Sequence, residues 1–228
     1  MAAADAGDGG PLVHTLVVAR HATAILGSQR EGDQVNNPPL STEGEKQADA
    51  LVGSLLPLLR QHQHASISLV SSPMRRTLQT AAPIAAAAKR PLTVHGSLYE
   101  YGAKRPGSTV QQIQEELPVD AAFLGFQDGQ WDFRGDDEHE SDDAVKARAG
   151  RVVQSVISTL LPSLGSEPGV LVLVSHQTFA DLLLQLLVDG TDTKWRYGGA
   201  RYKLRKAGHI RVEVTMRGQG QRPLFRLA

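Results

Sequence analysis

Leu16-Val17-Val18-Ala19-Arg20-His21 and Val170-Leu171-Val172-Leu173-Val174-Ser175-His176 decide how this chain is read. Each is a short apolar, largely β-branched run that stops at a histidine. Runs of this kind, bounded by small polar residues, read as strands buried on both faces of a parallel sheet. In open α/β sheets chemistry gathers at the carboxyl ends of such strands. Two imidazoles delivered there from distant parts of the chain point to a shared site.

The remaining pattern alternates around these two strands. Thr23 to Pro39 has no period and reads as a loop. A helix follows, capped by Ser41 or Thr42, and Thr42 with Glu45 fits a capping box. Its apolar face runs through Ala48, Leu51, Leu55 and Leu58, with Gly53 and Pro57 weakening the far end. A second strand, about Ser66 to Val70, leads into Ser71-Ser72-Pro73, where Ser72 as N-cap and Pro73 as first helical residue start a helix. That helix runs towards Ala88, kinked or interrupted at Pro83. Pro91 to Val94 is a third strand. Glu100 to Asp143 reads as an excursion over the catalytic edge, with a short helix at Val110 to Glu116. From Ser141 a helix carries Val145, Ala149, Val152, Val156 and Leu160 on one face. After the strand at Gly169 to Val174, Thr178 to Val188 is helical, and Tyr197 to Leu204 with His209 to Thr215 resemble a hairpin at the sheet edge. The order predicts an α/β fold, a three-layer α/β/α sandwich with a mostly parallel central sheet and an antiparallel edge strand. Residues 1–10 read as a disordered tail and 11–228 as a single domain with its excursion at about 100–143.

Composition narrows the function classes. In 228 residues, 24 Lys+Arg balance 24 Asp+Glu, so no net charge favours nucleic acid or a membrane surface. Any anion selectivity must come from local clustering. Cysteine is absent, which excludes disulfides, thiolate nucleophiles and cysteine-ligated zinc. No apolar run reaches the roughly 18 residues of a membrane span. Met1 to Gly10 has neither the basic and apolar regions of a secretory signal nor the arginines of a transit peptide, so a cytoplasmic location is expected. The oligomeric state is open.

Arg20, His21, Arg76 and His176 all fall at strand-to-helix turns on one edge of the sheet. Arginines hold planar anions in a fork of donors, helix starts add partial positive charge, and an oriented histidine is a competent covalent nucleophile. Each pair alone is readily structural, whereas their joint occurrence points to an anion-handling site. Arg75, Arg30, Lys104 and Arg105 are either a second anion site or solvated cations. His14 and His95 read as structural, His62 and His64 as exposed. Trp131, Phe133, Phe123 and Phe126 either wall a pocket or cover the sheet edge. The carboxylates Asp136, Asp137, Glu138, Glu140, Asp142 and Asp143 read as a solvated loop entering a helix capped by Ser141, the alternative being a strip over the pocket that repels polyanionic substrates or binds a cationic group.

Five elements in order over about residues 13–188 make the sequence similar to the histidine phosphatase superfamily, which includes phosphoglycerate-mutase-like enzymes. Arg20-His21-Ala22 resembles the family's Arg-His-Gly, and Pro39 to Ala48 its Pro-Leu-Thr-x-x-Gly-x-x-Gln-Ala. Ser71 to Ala81 resembles Ser-Ser-x-x-x-Arg-x-x-Gln-Thr-Ala. Leu98-Tyr99-Glu100 matches the element that holds the acid, and Ser175-His176 the element of the second histidine. The resemblance implies that His21 attacks phosphorus, that Arg20, Arg76 and His176 bind the phosphoryl oxygens, and that Glu100 protonates the leaving oxygen and later activates water. The family's asparagine contact falls at Asn36 or Asn37, and Asn37, Gln177 and Arg75 are candidates for touching substrate. Ala22 and Gln177 depart from the family's glycines. Pro38-Pro39-Leu40 and the pattern Ser175 to Asp181 look more like the eukaryotic phosphatase branch that includes ecdysteroid-phosphate phosphatases than like glycolytic mutases. The implied activity is metal- and cofactor-free hydrolysis of phosphomonoesters, on a small molecule or a phosphoprotein. The alternatives are a phosphoglycerate-type mutase and a non-catalytic interaction module.

Overall fold

The two apolar runs lie side by side at the centre of the sheet. The structure is a computed structural model that describes residues 11–25, 37–62, 66–103, 108–126, 129, 140–190, 194–218 and 220–228. The expectations for the tail at 1–10 and for Arg30, Asn36, His64, Lys104, Arg105, Trp131, Phe133, Asp136, Asp137 and Glu138 fall outside these residues.

Five parallel strands, β1 (Val13–Arg20), β2 (Ile67–Ser71), β3 (Leu92–His95), β4 (Ala121–Leu124) and β5 (Val170–Ser175), are joined by β6 (His209–Thr215) and β7 (Leu224–Leu227). The order is β4-β3-β2-β5-β1-β6-β7, and β6 and β7 run antiparallel to their neighbours. β5 sits between β1 and β2 with Ser175 opposite Arg20 and Val174 opposite Ser71, so three strand ends meet at one point of the edge.

Side chains alternate between the two faces of a strand, and here both faces are covered. Val17, Ala19, Val172 and Val174 pack against α1 (Thr42–Gln61) and α2 (Arg75–Ala88). Leu16, Val18, Leu171 and Leu173 pack against α4 (Asp142–Ser155) and α5 (Gln177–Leu184). This is why the runs are continuously apolar rather than alternating. α3 (Val110–Glu116) lies within the excursion as expected, held by a capping box in which Thr109 and Gln112 satisfy each other's backbone N–H. The excursion also contains β4, which the sequence reading missed. Three of its four residues are partly buried, Ala122 is exposed, and the run carries no apolar–polar alternation.

Local departures from expectation have physical causes. The hairpin at the edge is β6–β7, because Tyr197 to Leu204 forms no strand. Pro57 and Pro83 lie inside continuous helices, and the carbonyls they deprive of a donor belong to Gly53 and Gln79, both at exposed positions open to water. Ser41, not Thr42, caps α1 by accepting from the Gly44 amide at 3.1 Å, so Glu45 is one position too late for a box. α2 begins at Arg75, not Pro73, and its first N–H donates to Asn37 Oδ1 at 2.8 Å. Among the described residues no helix is long and apolar enough to cross a membrane.

Gly44, in the first turn of α1, makes the closest approach to the loop after His21. A Cβ there would lie 2.0 Å from the Thr23 carbonyl oxygen, while one at Gly53 in the same helix would meet nothing within 4 Å. Gly44→Ala is therefore expected to destabilise by roughly 1–3 kcal/mol through forced backbone movement. Gly53→Ala should stabilise by about 0.5–1 kcal/mol. Urea unfolding of both variants checks the pair.

Candidate active site

β1 ends at Arg20 and places His21 just beyond the sheet, where the His21 amide donates to Ser175 O at 2.9 Å. His21 Nδ1 lies 2.6 Å from the carbonyl of Ala22. A carbonyl only accepts, so Nδ1 carries the proton and Nε2 presents a lone pair. Arg76 Nε donates to that Nε2 at 3.2 Å. Burial, then the Arg76 and Lys206 charges, push the imidazole pKa down to about 2 against the opposing pull of the Ala22 carbonyl. His21 is thus a neutral base with its nucleophilic nitrogen turned to a guanidinium.

The loop after His21 is held by residues of the neighbouring helices. The Ala22 amide donates to Thr80 Oγ1, and both the amide and the hydroxyl of Thr23 donate to Gln47 Oε1, each at 3.0 Å. Gln79 Oε1 accepts from the Leu40 amide at 2.7 Å. The Gln and Thr positions of the sequence motifs therefore satisfy backbone groups that have no strand partner.

His176 leaves β5 fully buried, with its ring centroid 5.1 Å from that of His21. Arg76 Nη2 donates to His176 Nδ1 at 3.1 Å, which leaves the proton on Nε2, donated to Ser72 Oγ at 2.8 Å. Ser72 is therefore not the helix cap expected from its place before proline. It fixes the second imidazole. Burial first, and then Arg76, hold the His176 pKa well below its usual value. Arg76 spans both rings and is itself steadied by Met74 Sδ at 3.4 Å.

Glu100 is clasped at the start of α5. Its carboxylate accepts from the amides of Tyr101 at 2.9 Å, Phe179 at 3.0 Å and Thr178 at 3.3 Å. Burial raises its pKa, and the three amides and Arg76 oppose that rise, with burial the larger effect. The segment carrying Glu100 is anchored from behind by Arg148. Its Nη1 donates to Ser97 O and Tyr99 O, both at 2.8 Å, and its fork meets Glu140 at 2.7 and 2.6 Å. The guanidinium also stacks on Tyr99 and Phe179, at 3.6 and 4.3 Å from the ring centroids. Glu140 is thereby corrected from solvated loop to buried ion-pair partner. Ser141 caps α4 as expected, Asp143 pairs with Lys146, and Asp142 accepts from the Tyr101 hydroxyl.

The stretch read as a hairpin arm is a strap folded over α5. Buried Asp181 gathers it, accepting at Oδ1 from the amides of Arg201 and Tyr202 and at Oδ2 from Trp195 Nε1 and Gln185 Nε2. Gln177 extends the tie, because its Nε2 donates to Tyr202 O at 2.9 Å and its Oε1 accepts from Arg20 Nη1 at 3.4 Å. Arg20 Nη1 also donates to Leu204 O at 2.9 Å, while Arg20 Nε is buried without a hydrogen-bond partner among the described residues.

Arg20, His21, Arg76, His176 and Glu100 thus stand around one point, with Gln177 beside Arg20. Asn37 caps α2 and binds Ser108 Oγ at 3.1 Å. Arg75 pairs with Glu116 of α3 at 2.9 Å, both about 40% exposed, and so turns away from the imidazoles. Phe123 and Phe126 stack edge to face at 5.3 Å over the end of the sheet. His14 and His95 are structural, each accepting a backbone N–H at Nδ1. The sequence reading gave no role to Arg148, Asp181 or Lys206, since a charge inside an amphipathic helix or a loop carries no signal until its partner is known.

The family model described as histidine phosphatase superfamily (branch 1) matches residues 16–219. No curated protein is a significant match. Among solved structures the chain is similar to the ecdysone phosphate phosphatase of Bombix mori in complex with tungstate, at 15% identity over 94% of this chain and 92% of that one, with a TM-score of 0.65. It is similar to mycobacterial glucosyl-3-phosphoglycerate phosphatase, at 20% identity over 94% and 97% of the two chains and a TM-score of 0.55. A phosphoserine phosphatase mutant from Entamoeba histolytica aligns at 16% identity over 94% and 96%, with a TM-score of 0.53. At such identities these likenesses show the shared fold, and their varied organisms do not single out the expected eukaryotic branch. With the family match running from β1 past the end of β6, the chain belongs to the histidine phosphatase superfamily (branch 1).

Proposed function

We propose that residues 11–228 act as one catalytic domain, a metal-independent phosphomonoester hydrolase working through a phosphohistidine on His21. The observation that carries this reading is the single guanidinium of Arg76 bonded to both His21 Nε2 and His176 Nδ1. A phosphoryl group arriving there would exchange those bonds for its own oxygens. Burial first, and then Arg76, hold His176 neutral, and the phosphoryl group's negative charge would oppose both, so that His176 could take a proton and donate to phosphoryl oxygen. Arg20 would contribute its Nε–H, which has no hydrogen-bond partner among the described residues. Such fixed donors stabilise charge where it develops in phosphoryl transfer.

In the first step His21 Nε2 bonds to phosphorus as the ester P–O bond breaks, and protonated Glu100 gives its proton to the leaving oxygen. In the second, water attacks phosphorus, Glu100 takes the water's proton, and the N–P bond breaks to release phosphate. Glu100 must therefore start as an acid. Burial favours that form, and phosphate bound beside it weakens the opposing Arg76 field. The substrate is a phosphorylated small molecule or a phosphoprotein.

The test is hydrolysis of an aryl phosphate by purified protein, with an alkaline denaturing quench to look for a base-stable phosphoryl adduct that is then lost on acid treatment. Turnover with the adduct supports the reading, and release no faster than with heat-denatured protein overturns it. Glu100→Gln is expected to lower kcat roughly 10²–10⁴-fold for alkyl phosphates, less for a phenolate that needs no proton. Affinity for inorganic phosphate should stay within a few-fold. For alkyl phosphates, kcat of the native enzyme should fall as pH rises past the elevated Glu100 pKa, because only the acid form donates. A Glu100→Gln profile with the same falling limb would remove Glu100 from this role.

A further inference from the structure

We propose that Lys206 is a further cationic ligand of the transferring phosphoryl group, delivered by the turn Arg205 to Gly208, and that it favours the doubly ionised phosphate. This rests on the phosphatase reading above.

The turn is pinned to both residues of the Arg20-His21 pair. Leu204 O accepts from Arg20 Nη1 at 2.9 Å, Gly208 O accepts from the Arg20 amide at 2.9 Å, and the Ala207 amide donates to His21 O at 3.3 Å. The Gly208 amide donates to Arg205 O at 2.9 Å and closes the turn. Ala207 has φ of +53°, a left-handed conformation that an L-residue with a Cβ rarely adopts. Such strain persists only where the surroundings over-determine it, and functional sites are where it collects. Here the surroundings are the three bonds above and the packing of Ala207 against Ala22, Leu40 and Ala48. Lys206 thus has its backbone fixed between contacts to the two residues that begin the site.

Its charge reaches the reacting group. Among the charges that hold His21 neutral, Lys206 ranks after Arg76 and ahead of Arg20, and it acts on His176 as well. Lys206 makes no hydrogen bond or ion pair with any described residue. The charged groups that act on it are Arg20 at the end of β1, Arg76 on α2 and Glu100 ahead of α5, two cations against one carboxylate. Arg205 and His209 flank it on its own segment. Lys206 is exposed at the surface, and partial shielding of its ammonium, then the two arginines, bring its pKa down to about 8 while Glu100 opposes. A cluster of three cations around one carboxylate and two neutral imidazoles is completed by a dianion.

The pH behaviour follows with a definite sign. The second ionisation of a phosphate monoester lies near pH ~6, so the dianion dominates above it. Lys206 is charged below about 8 and loses its proton above. Affinity for the dianion should therefore fall as pH rises through that value, while the arginines stay charged.

Titration calorimetry with inorganic phosphate between about pH 6 and 9.5 tests this on the native protein, Lys206→Met and Lys206→Arg. The expected result is phosphate affinity roughly tenfold weaker in Lys206→Met near pH 7, with the alkaline decline gone. Lys206→Arg should keep the affinity and show no decline in that range. Unfolding curves of all three should coincide, since Lys206 makes no hydrogen bond or ion pair with any described residue. If Lys206→Met binds as the native protein does, or weakens while keeping the same decline, the assignment is overturned. If the native protein binds no phosphate, it is the phosphatase reading that fails.

Discussion

His21→Ala is expected to lower kcat for any phosphomonoester by on the order of 10⁴–10⁶-fold, the scale seen when a covalent nucleophile is removed. The loss should be this large because no other group can replace Nε2. His176 Nδ1 accepts from the same arginine, but its ring is locked by Ser72 and fully buried. The substitution removes one acceptor of Arg76 and leaves Arg20, Arg76 and His176 in place, so inorganic phosphate should still bind within about tenfold of native. Three measurements separate the roles: steady-state kcat, the quenched phosphoryl adduct, and calorimetry with phosphate. Residual turnover above about 1% of native, an adduct included, would move the nucleophile elsewhere. The native pH–rate profile carries a companion expectation. With its pKa pushed to about 2, His21 is unprotonated throughout the working range, so no acidic limb should arise from it.

The largest stability effect is expected at Arg148. Its guanidinium and the Glu140 carboxylate are 3% and 2% exposed, joined through both arms of the fork, and the remaining guanidinium nitrogen holds two backbone carbonyls. Arg148→Met leaves a carboxylate buried without its partner and two carbonyls without a donor. Breaking such a pair from one side costs about 3–5 kcal/mol, a large part of the roughly 5–15 kcal/mol that holds a domain folded. The double variant Arg148→Met, Glu140→Leu removes both charges and should recover most of that loss. Urea unfolding of the two single variants and the double variant measures the coupling. Because the two carbonyls belong to Ser97 and Tyr99, immediately before Glu100, the double variant should regain stability while its kcat stays depressed. Single variants as stable as the native protein would show that the pair is not needed for folding.

Much of this was legible in the sequence because it depended on local pattern. The runs at Leu16 and Val170 are apolar on every residue, which only a strand covered on both faces requires, and the structure covers them with α1 and α2 on one side and α4 and α5 on the other. Ser141, the helix at Val110 to Glu116 and the placing of Arg20, His21, Arg76 and His176 at strand-to-helix junctions rest on the same kind of evidence. Where local chemistry allowed two uses, the reading chose wrongly. A serine before proline is a good helix start, yet Ser72 bonds His176 instead, because β2 and β5 are adjacent and bring them together. The residues from Tyr197 to Leu204 look strand-like, yet Asp181 takes the Arg201 and Tyr202 amides that a sheet would have used.

The sequence by itself determined the strand periods, the junctions where chemistry collects and the family those junctions belong to. These depend on residues close together in the chain, where propensity and burial act directly. Only the tertiary structure decided the proton on each imidazole, the clasp on Glu100, the buried partnership of Arg148 with Glu140 and the presentation of Lys206. The proton on His176, the Thr178 and Phe179 amides on Glu100 and the presentation of Lys206 are set by groups tens of residues away or more. The nearer partners, Ala22 O beside His21 and Glu140 eight residues from Arg148, count only once folding buries them in a low-dielectric interior, where a charge or a lone pair has meaning beside its partner.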